Sequence, residues 1–509
     1  MVGCQVADNS ATCYRQCDTK MAIQFKISPL QVKEYGVVAE IKQDIAHVTG
    51  LVNCMNGQLV HFEGGSQGTL VGFDGTYELV MIVKEGAKIK PGDKLYSTIE
   101  VCTVPVGDQF LGRMVNGLAE PTDGLGPIKC CKRSPIFSDA PGVLERTPLQ
   151  ESLETGVKIV DMMNPVGKGQ RQLILGDRVT GKTTIATDAI LNQKGKGVIC
   201  IYCCIGKAEA SLNKVLDLFR EHDVMSYGIV VSATASSSVG QQYLAPYVAA
   251  SLGEYFMHEK GRDVFVVFDD LTKHAWVYRQ MSLLLERSPG RDAYPGDIFY
   301  LHSQLVERAG KMRPERGSGS MTFMPIVETV QGDVTGYIPT NIISMTDGQL
   351  YVSTPLFSEG FKPAIDIGLS VSRIGSKVQW PAMRKLAGIL RLEYIQFKEL
   401  EKLTRIKAGV SEAVEKRLMK GRVVAAILKQ DKNKPVPIVE QVILLYALAN
   451  GFMDRLLPEL VSAYQAGVMA KIKRDNPDLI AALIEKKDLT EEIKEGLHEQ
   501  LTAYGAIAL

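Results

Sequence analysis

The sequence predicts a multidomain fold, with an N-terminal antiparallel β-barrel, a central α/β domain and a C-terminal α-helical domain. Three observations along the 509 residues support this division. Short strand-like runs crowd the first part, strands alternate with helical stretches in the middle, and apolar residues recur at helical spacing towards the end. We therefore divide the chain into an N-terminal extension, residues 1–34, and domains at 35–106, 107–380 and 381–509.

The predicted barrel depends on five short runs in which apolar and polar residues alternate. They lie at 37–41, 46–51, 58–62, 69–73 and 79–83, with glycine- and proline-containing turns at 64–65 and 91–93. Strands this short and this closely spaced are typical of a small antiparallel barrel.

The central domain is organised around residues 176–183, Gly-Asp-Arg-Val-Thr-Gly-Lys-Thr, which match the phosphate-binding pattern G-x-x-x-x-G-K-[ST] at every required position. A strand-like run, 173–175, precedes the loop and a helix-forming run, 184–190, follows it. The glycines let backbone N–H groups converge on a polyphosphate, and the positive end of the helix adds to that field. We predict a P-loop that binds ATP or ADP through Gly176, Asp177, Arg178, Val179, Thr180, Gly181, Lys182, Thr183 and Thr184.

Magnesium is the expected cofactor of such a loop, with Thr183 supplying a hydroxyl ligand. The apolar run 263–268 ends in Asp269 and Asp270. A carboxylate at the end of a neighbouring strand orients magnesium or its bound water, and Asp269 is our first choice. A strand that ends in Asp is often only a turn or a helix cap, so this assignment depends on the glycine loop.

Charge and hydropathy exclude some function classes. The chain carries 58 basic and 57 acidic residues, for a net charge of +1, which gives no electrostatic argument for a nucleic-acid partner. No apolar run is long enough to insert in a bilayer, and the N-terminus lacks a secretion-signal pattern. The ten cysteines include adjacent pairs that suit buried thiols in a reducing cytoplasm. Translation from Met21 instead of Met1 is a further hypothesis.

The last domain is predicted to be helical from its apolar periodicity. Leu386, Ile389, Leu390 and Phe397 fall on one helical face.

Further motifs together resemble the alpha subunits of F-type ATP synthases, which belong to the rotary ATPase head. They lie at 167–172, 233–236, 242–247, 278–285, 289–297, 337–341 and 368–375, within a resemblance that covers roughly residues 35–454. The resemblance implies a barrel crown, a RecA-like nucleotide domain and a helical base. It also implies a hexameric ring in which alpha subunits alternate with catalytic beta-type subunits around a central shaft, peripheral to the cytoplasmic face of a membrane and coupled to proton or sodium transport.

The same resemblance implies roles for residues outside the glycine loop. Arg373 matches the arginine that alpha subunits extend into the neighbouring catalytic site. The positions that match the adenine pocket hold Lys362, Pro363, Gln430 and Lys432. Residues before Tyr35 contain no counterpart of the amphipathic helix that the peripheral stalk grips in the family, so a stalk contact stays open.

The chain departs from the alpha pattern at four of these positions. Val179, Lys207 and Lys432 each replace a Gln, and Lys362 replaces an Arg. Beta subunits place their catalytic Glu where Lys207 stands, and an ammonium cannot accept a proton from water. We therefore expect the site to bind Mg-ATP without turnover, with Glu209 as a weaker candidate base. Whether the Lys207 ammonium points at the phosphates or at solvent stays open.

Two other functions remain as alternatives to a regulatory alpha subunit. One is a self-sufficient hexameric ATPase of the secretion or flagellar kind, which would need the missing Glu. The other is a ring-shaped RNA helicase, which would need a basic and aromatic barrel surface. The barrel strands instead carry acidic residues such as Glu40, Asp44 and Glu63, which disfavours the helicase.

Overall fold

A computed structural model describes residues 33–404, 412–454 and 456–508 of the chain. The hypothesis of a start at Met21 lies outside these residues. The strands, numbered in chain order, are β1 (Lys33–Lys42), β2 (Ile45–Thr49), β3 (Gln58–Phe62), β4 (Gln67–Asp74), β5 (Tyr77–Lys84), β6 (Lys94–Val101), β7 (Thr103–Val106), β8 (Met114–Val115), β9 (Lys132–Pro135), β10 (Ser152–Leu153), β11 (Val166–Gly167), β12 (Gln172–Gly176), β13 (Ile199–Ile205), β14 (Gly228–Ala233), β15 (Asp263–Asp269), β16 (Gly310–Lys311), β17 (Ser320–Glu328), β18 (Gly348–Val352) and β19 (Val371–Ser372).

The α-helices are α1 (Lys158–Met163), α2 (Lys182–Leu191), α3 (Glu209–Glu221), α4 (Val239–Glu254), α5 (Leu271–Leu284), α6 (Ile298–Val306), α7 (Tyr337–Met345), α8 (Thr354–Ser358), α9 (Pro381–Thr404), α10 (Glu412–Leu428), α11 (Ile438–Ala449), α12 (Val461–Asp475), α13 (Pro477–Lys486) and α14 (Glu491–Ala508). None of these helices is long and apolar enough to cross a membrane, as far as the described residues go.

The first six strands form a closed antiparallel barrel in the order β1-β2-β5-β4-β3-β6. The predicted barrel is confirmed, and its five predicted runs overlap β1 to β5. Alternate side chains point inward, so that Val38, Val48, Val60 and Leu70 are almost inaccessible to solvent. The sequence interpretation did not identify β6, which pairs with both β1 and β3 and closes the barrel.

A nine-stranded sheet in the order β19-β18-β12-β17-β15-β13-β14-β8, with β16 paired to β17, forms the central domain. All neighbours are parallel except β18 with β19 and β16 with β17. Alternate residues of one strand enter two different cores, with Ile174 on one face and Leu173 and Leu175 on the other. Burial on both faces explains why these strands are apolar runs instead of alternating ones. The predicted α/β domain is therefore confirmed.

The C-terminal helices α9 to α14 confirm the predicted helical domain, and their core is continuous with one face of the central sheet. Leu386, Leu390 and Phe397 are buried as predicted, but Ile389 is 53% exposed, so its assignment to the buried face is wrong. At about 100° per residue, Ile389 lies on the opposite side of Leu386 from Leu390, at the edge of the stripe. The buried stripe of α9 is thus narrower than the periodicity indicated.

Candidate functional site

The glycine loop connects the carboxyl end of β12 to the start of α2, as a phosphate-binding loop requires. It opens into a cleft of about 1340 Å³, large enough for a nucleotide. The cleft brings together most of the residues assigned from the sequence, namely Arg178, Val179, Thr180, Gly181, Lys182, Thr183, Thr184, Lys207, Asp269, Lys362, Pro363, Gln430 and Lys432. Gly176, Asp177 and Arg373 do not line it.

Backbone conformation in the loop follows its glycines. Gly181 has φ +95° as the cap of α2, and a Cβ on Gly176 would lie 2.4 Å from the carbonyl oxygen of Val352. Only glycine fits that close approach to β18. Val179 has φ +62° and is 88% exposed, an unfavourable conformation for a β-branched residue.

Lys182 is buried beneath the loop. Its ammonium donates to the carbonyl oxygen of Gly176 at 2.9 Å and to that of Asp177. Burial lowers the pKa of Lys182, and nearby carboxylates, Glu328 foremost, oppose that shift. The lysine is therefore a desolvated donor beside the loop's N–H groups, where phosphate oxygens would gain most from it.

The Asp177 side chain points away from the cleft and holds the glycine loop in place. Its carboxylate accepts hydrogen bonds from the Thr329 hydroxyl at 2.7 Å, the Gly332 N–H at 2.8 Å and the Thr354 hydroxyl at 2.8 Å. These contacts fix the loop to the end of β17 and the start of α8. The Asp177 carboxylate thus holds the loop in position and does not face the cleft.

A four-residue network joins Thr183, at the end of the glycine loop, to β13, β15 and the turn after β13. Asp269 is 1% exposed, and its Oδ2 atom accepts from the Thr183 hydroxyl and from the Tyr202 hydroxyl, both at 2.8 Å. The Lys207 ammonium donates to Thr183 Oγ1 at 2.9 Å and forms an ion pair with Asp269 Oδ1 at 2.5 Å. Burial, together with the Asp269 carboxylate, raises the pKa of the Tyr202 hydroxyl well above its ordinary value, so the phenol stays a donor.

Magnesium would be expected at this position, and the oxygen donors of Thr183 and Asp269 suit it. The Lys207 ammonium, however, already lies between those two donors. A divalent ion bound at about 2.1 Å from the same oxygens would coincide with a like charge. The residues therefore fit magnesium in donor type but not in arrangement while Lys207 keeps this position.

The second carboxylate of the pair serves a different purpose. Asp270 accepts from the Lys273 backbone N–H at 2.8 Å, as the cap of α5, and pairs with the Lys273 ammonium at 2.7 Å. Asp269, and not Asp270, thus faces Thr183. Glu209, the alternative base, accepts a hydrogen bond from the Ser236 hydroxyl at 3.0 Å and is not among the residues that line the cleft.

The far side of the cleft holds the four residues assigned to a base pocket. Gln430 ties its segment to its neighbours, because its amide nitrogen donates to the Gly156 carbonyl at 2.8 Å and its amide oxygen accepts from the Lys158 N–H at 2.9 Å. The Lys362 ammonium lies 4.7 Å from the centre of the Phe357 ring, a cation–π contact. Lys432 is exposed at the rim.

The cleft is markedly positive although the whole chain is nearly neutral. The lining includes nine basic side chains, Lys158, Arg178, Lys182, Lys207, Lys273, Lys362, Lys429, Lys432 and Lys434, against five carboxylates, Asp188, Asp269, Asp270, Glu328 and Asp431. A concave surface with this imbalance attracts polyphosphates.

Sequence reasoning missed Tyr202, Lys158, Lys273 and Phe357 at this site. One signal was available for Tyr202. It stands inside β13, a strand buried on both faces, where a phenol needs a hydrogen-bond partner. The others reach the cleft from segments that only the fold brings close.

Arg373 lies at the amino end of β12, whereas the glycine loop follows the carboxyl end of that strand. Its backbone N–H donates to the Asp347 carbonyl at 2.8 Å, just before β18, and β18 starts opposite the first residue of β12. At about 3.3 Å per residue, the length of β12 separates Arg373 from its own loop by roughly 15 Å. Its exposed guanidinium donates to the Ile343 carbonyl at 3.4 Å and pairs with no carboxylate of the described residues.

Comparison with known proteins covers almost the entire chain. Models of the ATP synthase alpha/beta family match residues 31–98 (beta-barrel domain) and 156–372 (nucleotide-binding domain), and that of the ATP synthase alpha/beta chain, C terminal domain, matches 379–504. ATP synthase subunit alpha of Clostridium acetobutylicum is 45% identical over 490 residues, covering 96% of this chain and 97% of that protein. The subunit alpha of Aquifex aeolicus is 42% identical over 474 residues, covering 93% and 94%.

Proposed function

Because the chain belongs to the ATP synthase alpha/beta family, as an F-type alpha subunit, we propose that it binds nucleotide without turnover and completes a neighbour's catalytic site. Nucleotide binding and membership of an ATP-synthesising enzyme complex are shown by the family. The proposal adds which residues do the binding, why the site does not hydrolyse ATP, and what Arg373 does.

The observation that carries the non-catalytic assignment is the position of Lys207. Hydrolysis needs a carboxylate that polarises the attacking water. Lys207 extends from the end of β13 into the cleft, with its side chain 16% exposed and its ammonium on Thr183. Asp269 is held by three partners and Asp270 by Lys273, which leaves neither free to act as a base.

Phosphate binding is assigned to residues 178–184 of the loop and to Lys207, and base binding to Lys362, Pro363, Gln430 and Lys432. This assignment is supported by their convergence on one positive cleft. Thr183 and Asp269 would hold magnesium only if the Lys207 ammonium moved aside. Magnesium would then supply phosphate charge neutralisation, which Lys182 and Lys207 already supply in part.

Arg373 is proposed to act in trans on an adjacent beta-type site. Its distance from its own loop, its exposure and its lack of a carboxylate partner among the described residues all support this role. A guanidinium offers a planar fork of donors to the phosphate oxygens whose negative charge grows in the transition state.

The assembly proposed for this chain is a hexameric ring that alternates with beta-type subunits around a central shaft. The ring would lie peripherally at the cytoplasmic face of a membrane, where it would couple ATP synthesis or hydrolysis to proton or sodium transport. A peripheral-stalk contact stays a prediction, because residues 1–32 lie outside the described part of the chain.

Binding and turnover measured on the same purified full-length chain test the non-catalytic assignment. We expect titratable binding of ATP with no hydrolysis above the level of a Lys182→Gln control. Turnover near a typical enzyme rate of about 10 per second, abolished by Glu209→Gln, would instead favour the self-sufficient hexameric ATPase.

A further inference from the structure

The Lys207 side chain lies where a P-loop ordinarily presents its two metal ligands. Its ammonium contacts the hydroxyl oxygen of Thr183 at 2.9 Å and the Oδ1 atom of Asp269 at 2.5 Å. The Asp269 contact is ionic and not an aligned hydrogen bond, since Oδ1 accepts none of normal geometry from the described residues. One cation thus bridges both oxygens.

The backbone fixes Lys207 in this place. Gly206 has φ +61°, and a Cβ there would lie 3.1 Å from the Lys273 side chain, so the chain turns sharply at the end of β13. The Gly206 N–H donates to the Ala233 carbonyl at 2.7 Å, and the Lys207 carbonyl accepts from the Ala235 N–H at 2.9 Å. Both hydrogen bonds tie the turn to the end of β14 and its following loop.

The acceptors are equally constrained. The Oδ2 atom of Asp269 receives hydrogen bonds from Thr183 and Tyr202, each at 2.8 Å, and the carboxylate is 1% exposed. A buried carboxylate needs a countercharge, and Lys207 supplies it within the chain. The network is therefore complete in charge without a metal ion.

We propose that Lys207 is a tethered cation that takes the place of magnesium, so that this site binds metal-free nucleoside di- and triphosphates. The inference rests on the proposed nucleotide site. The ammonium donates a hydrogen bond to Thr183 and lies against the Asp269 carboxylate, which leaves donor capacity for a phosphate oxygen.

The test compares ATP binding to the full chain in millimolar magnesium and in excess EDTA. For the unmodified chain we expect ATP to bind at least as tightly in EDTA as in magnesium, because magnesium complexes ATP in solution and lowers the concentration of the metal-free form. Lys207→Gln should make binding metal-dependent, with a loss of roughly tenfold or more on chelation, since a charge-assisted contact is removed. Lys214→Gln, an exposed lysine on α3, is the matched control and should behave like the unmodified chain.

Bound manganese, counted per bound nucleotide, gives a second readout that does not depend on affinity. Equilibrium dialysis with Mn²⁺ and ATP should leave close to no manganese on the unmodified chain and close to one per nucleotide on Lys207→Gln. One manganese per nucleotide on the unmodified chain, or an affinity that collapses in EDTA, would overturn the inference while leaving the nucleotide site intact. No ATP binding in either buffer would overturn the proposed site itself, and this inference with it.

Discussion

The two ends of β12 carry functional residues that are held in different ways. At the carboxyl end, the Lys182 ammonium donates to the loop carbonyls, and Lys207 pairs with Asp269. At the amino end, Arg171 is engaged by Asp347 and Glu307, but Arg373 beside it has no carboxylate partner among the described residues. The charged groups of the carboxyl end make their contacts within the chain, whereas the Arg373 guanidinium makes one hydrogen bond to a carbonyl and no ion pair among the described residues.

This difference indicates how one fold can separate binding from catalysis. Ammonium groups held by contacts within the chain can keep a nucleotide in place at the carboxyl end. An exposed guanidinium can be aimed at charge that develops elsewhere, because no carboxylate of the described residues competes for it. Variants at either end should therefore affect different measurements.

The largest effect is expected from Arg373→Ala in a reconstituted ring with catalytic beta-type subunits. Fingers of this kind contribute about 10³ to 10⁵ in rate, on the order of 4–7 kcal/mol. Steady-state hydrolysis should fall steeply, and Arg373→Lys should rescue it poorly because a point charge lacks the fork. Arg220→Ala, another exposed arginine, is the control. Hydrolysis within a few-fold of the unmodified ring would show that Arg373 is not the finger.

The next largest effect is the pH dependence of stability that Asp188 causes at the nucleotide-binding end. Burial raises the pKa of Asp188, on α2, to about 7. The pKa of Asp188 is higher in the folded chain than in the unfolded chain. Ionisation of Asp188 therefore lowers the free energy of unfolding progressively as pH rises from about 4 to 7, by up to about 4 kcal/mol. Asp188→Asn should remove that part of the pH dependence, since its amide oxygen can still accept the hydrogen bond from the Asn433 N–H.

The thermal midpoints of Asp188→Asn and the unmodified chain, measured between pH 4 and 8, check this. The variant should gain stability relative to the unmodified chain by several degrees as pH rises, with little further change above pH 7. A constant difference across the range would mean that Asp188 is ionised throughout.

Lys182→Gln should weaken ATP binding at the chain's own site by about ten- to a hundredfold, because it replaces a desolvated ammonium among the phosphate donors. Isothermal titration calorimetry of the full chain measures this affinity. Lys194→Gln is the control, because Lys194 is exposed and pairs with Asp223. If Lys182→Gln and the unmodified chain bound ATP with affinities within about twofold of each other, Lys182 would not contact the nucleotide.

The smallest effect is expected at Val179, which is strained in the left-handed region at φ +62°. Asn tolerates that conformation, so Val179→Asn should stabilise the nucleotide-free chain by about 1 kcal/mol. Val179→Thr keeps the β-branch and should give no gain. A lower thermal midpoint for the Asn variant would contradict the strain argument.

The sequence predicted the central strands well because burial on both faces leaves continuous apolar runs, as in β13 and β15. The sequence did not predict β6. Its Lys-Leu-Tyr-Ser-Thr run mixes polar and apolar residues and is as typical of a loop as of a strand. Pairing on both sides, and not its own pattern, makes β6 a strand.

For the candidate site, the loop residues could be assigned from one motif because their chemistry is local. The direction of Lys207 could not, because Thr183, Asp269 and Tyr202 come from segments up to 86 residues apart. From the sequence, the Lys207 ammonium could point either at a phosphate or at solvent. A contact between Lys207 and the two expected metal ligands was not considered. The distance between Arg373 and its own loop likewise depends on strand register, which composition does not encode.

We propose that nucleotide binding and the contribution to catalysis use opposite ends of β12. The most direct test of this proposal measures nucleotide occupancy of the alpha sites and steady-state hydrolysis on the same reconstituted rings, carrying either Arg373→Ala or Lys182→Gln. We predict that Arg373→Ala keeps occupancy and loses about a thousandfold in hydrolysis, whereas Lys182→Gln loses occupancy with a far smaller loss in rate. If both variants lowered both quantities in proportion, the two ends would be one site and the account would be contradicted.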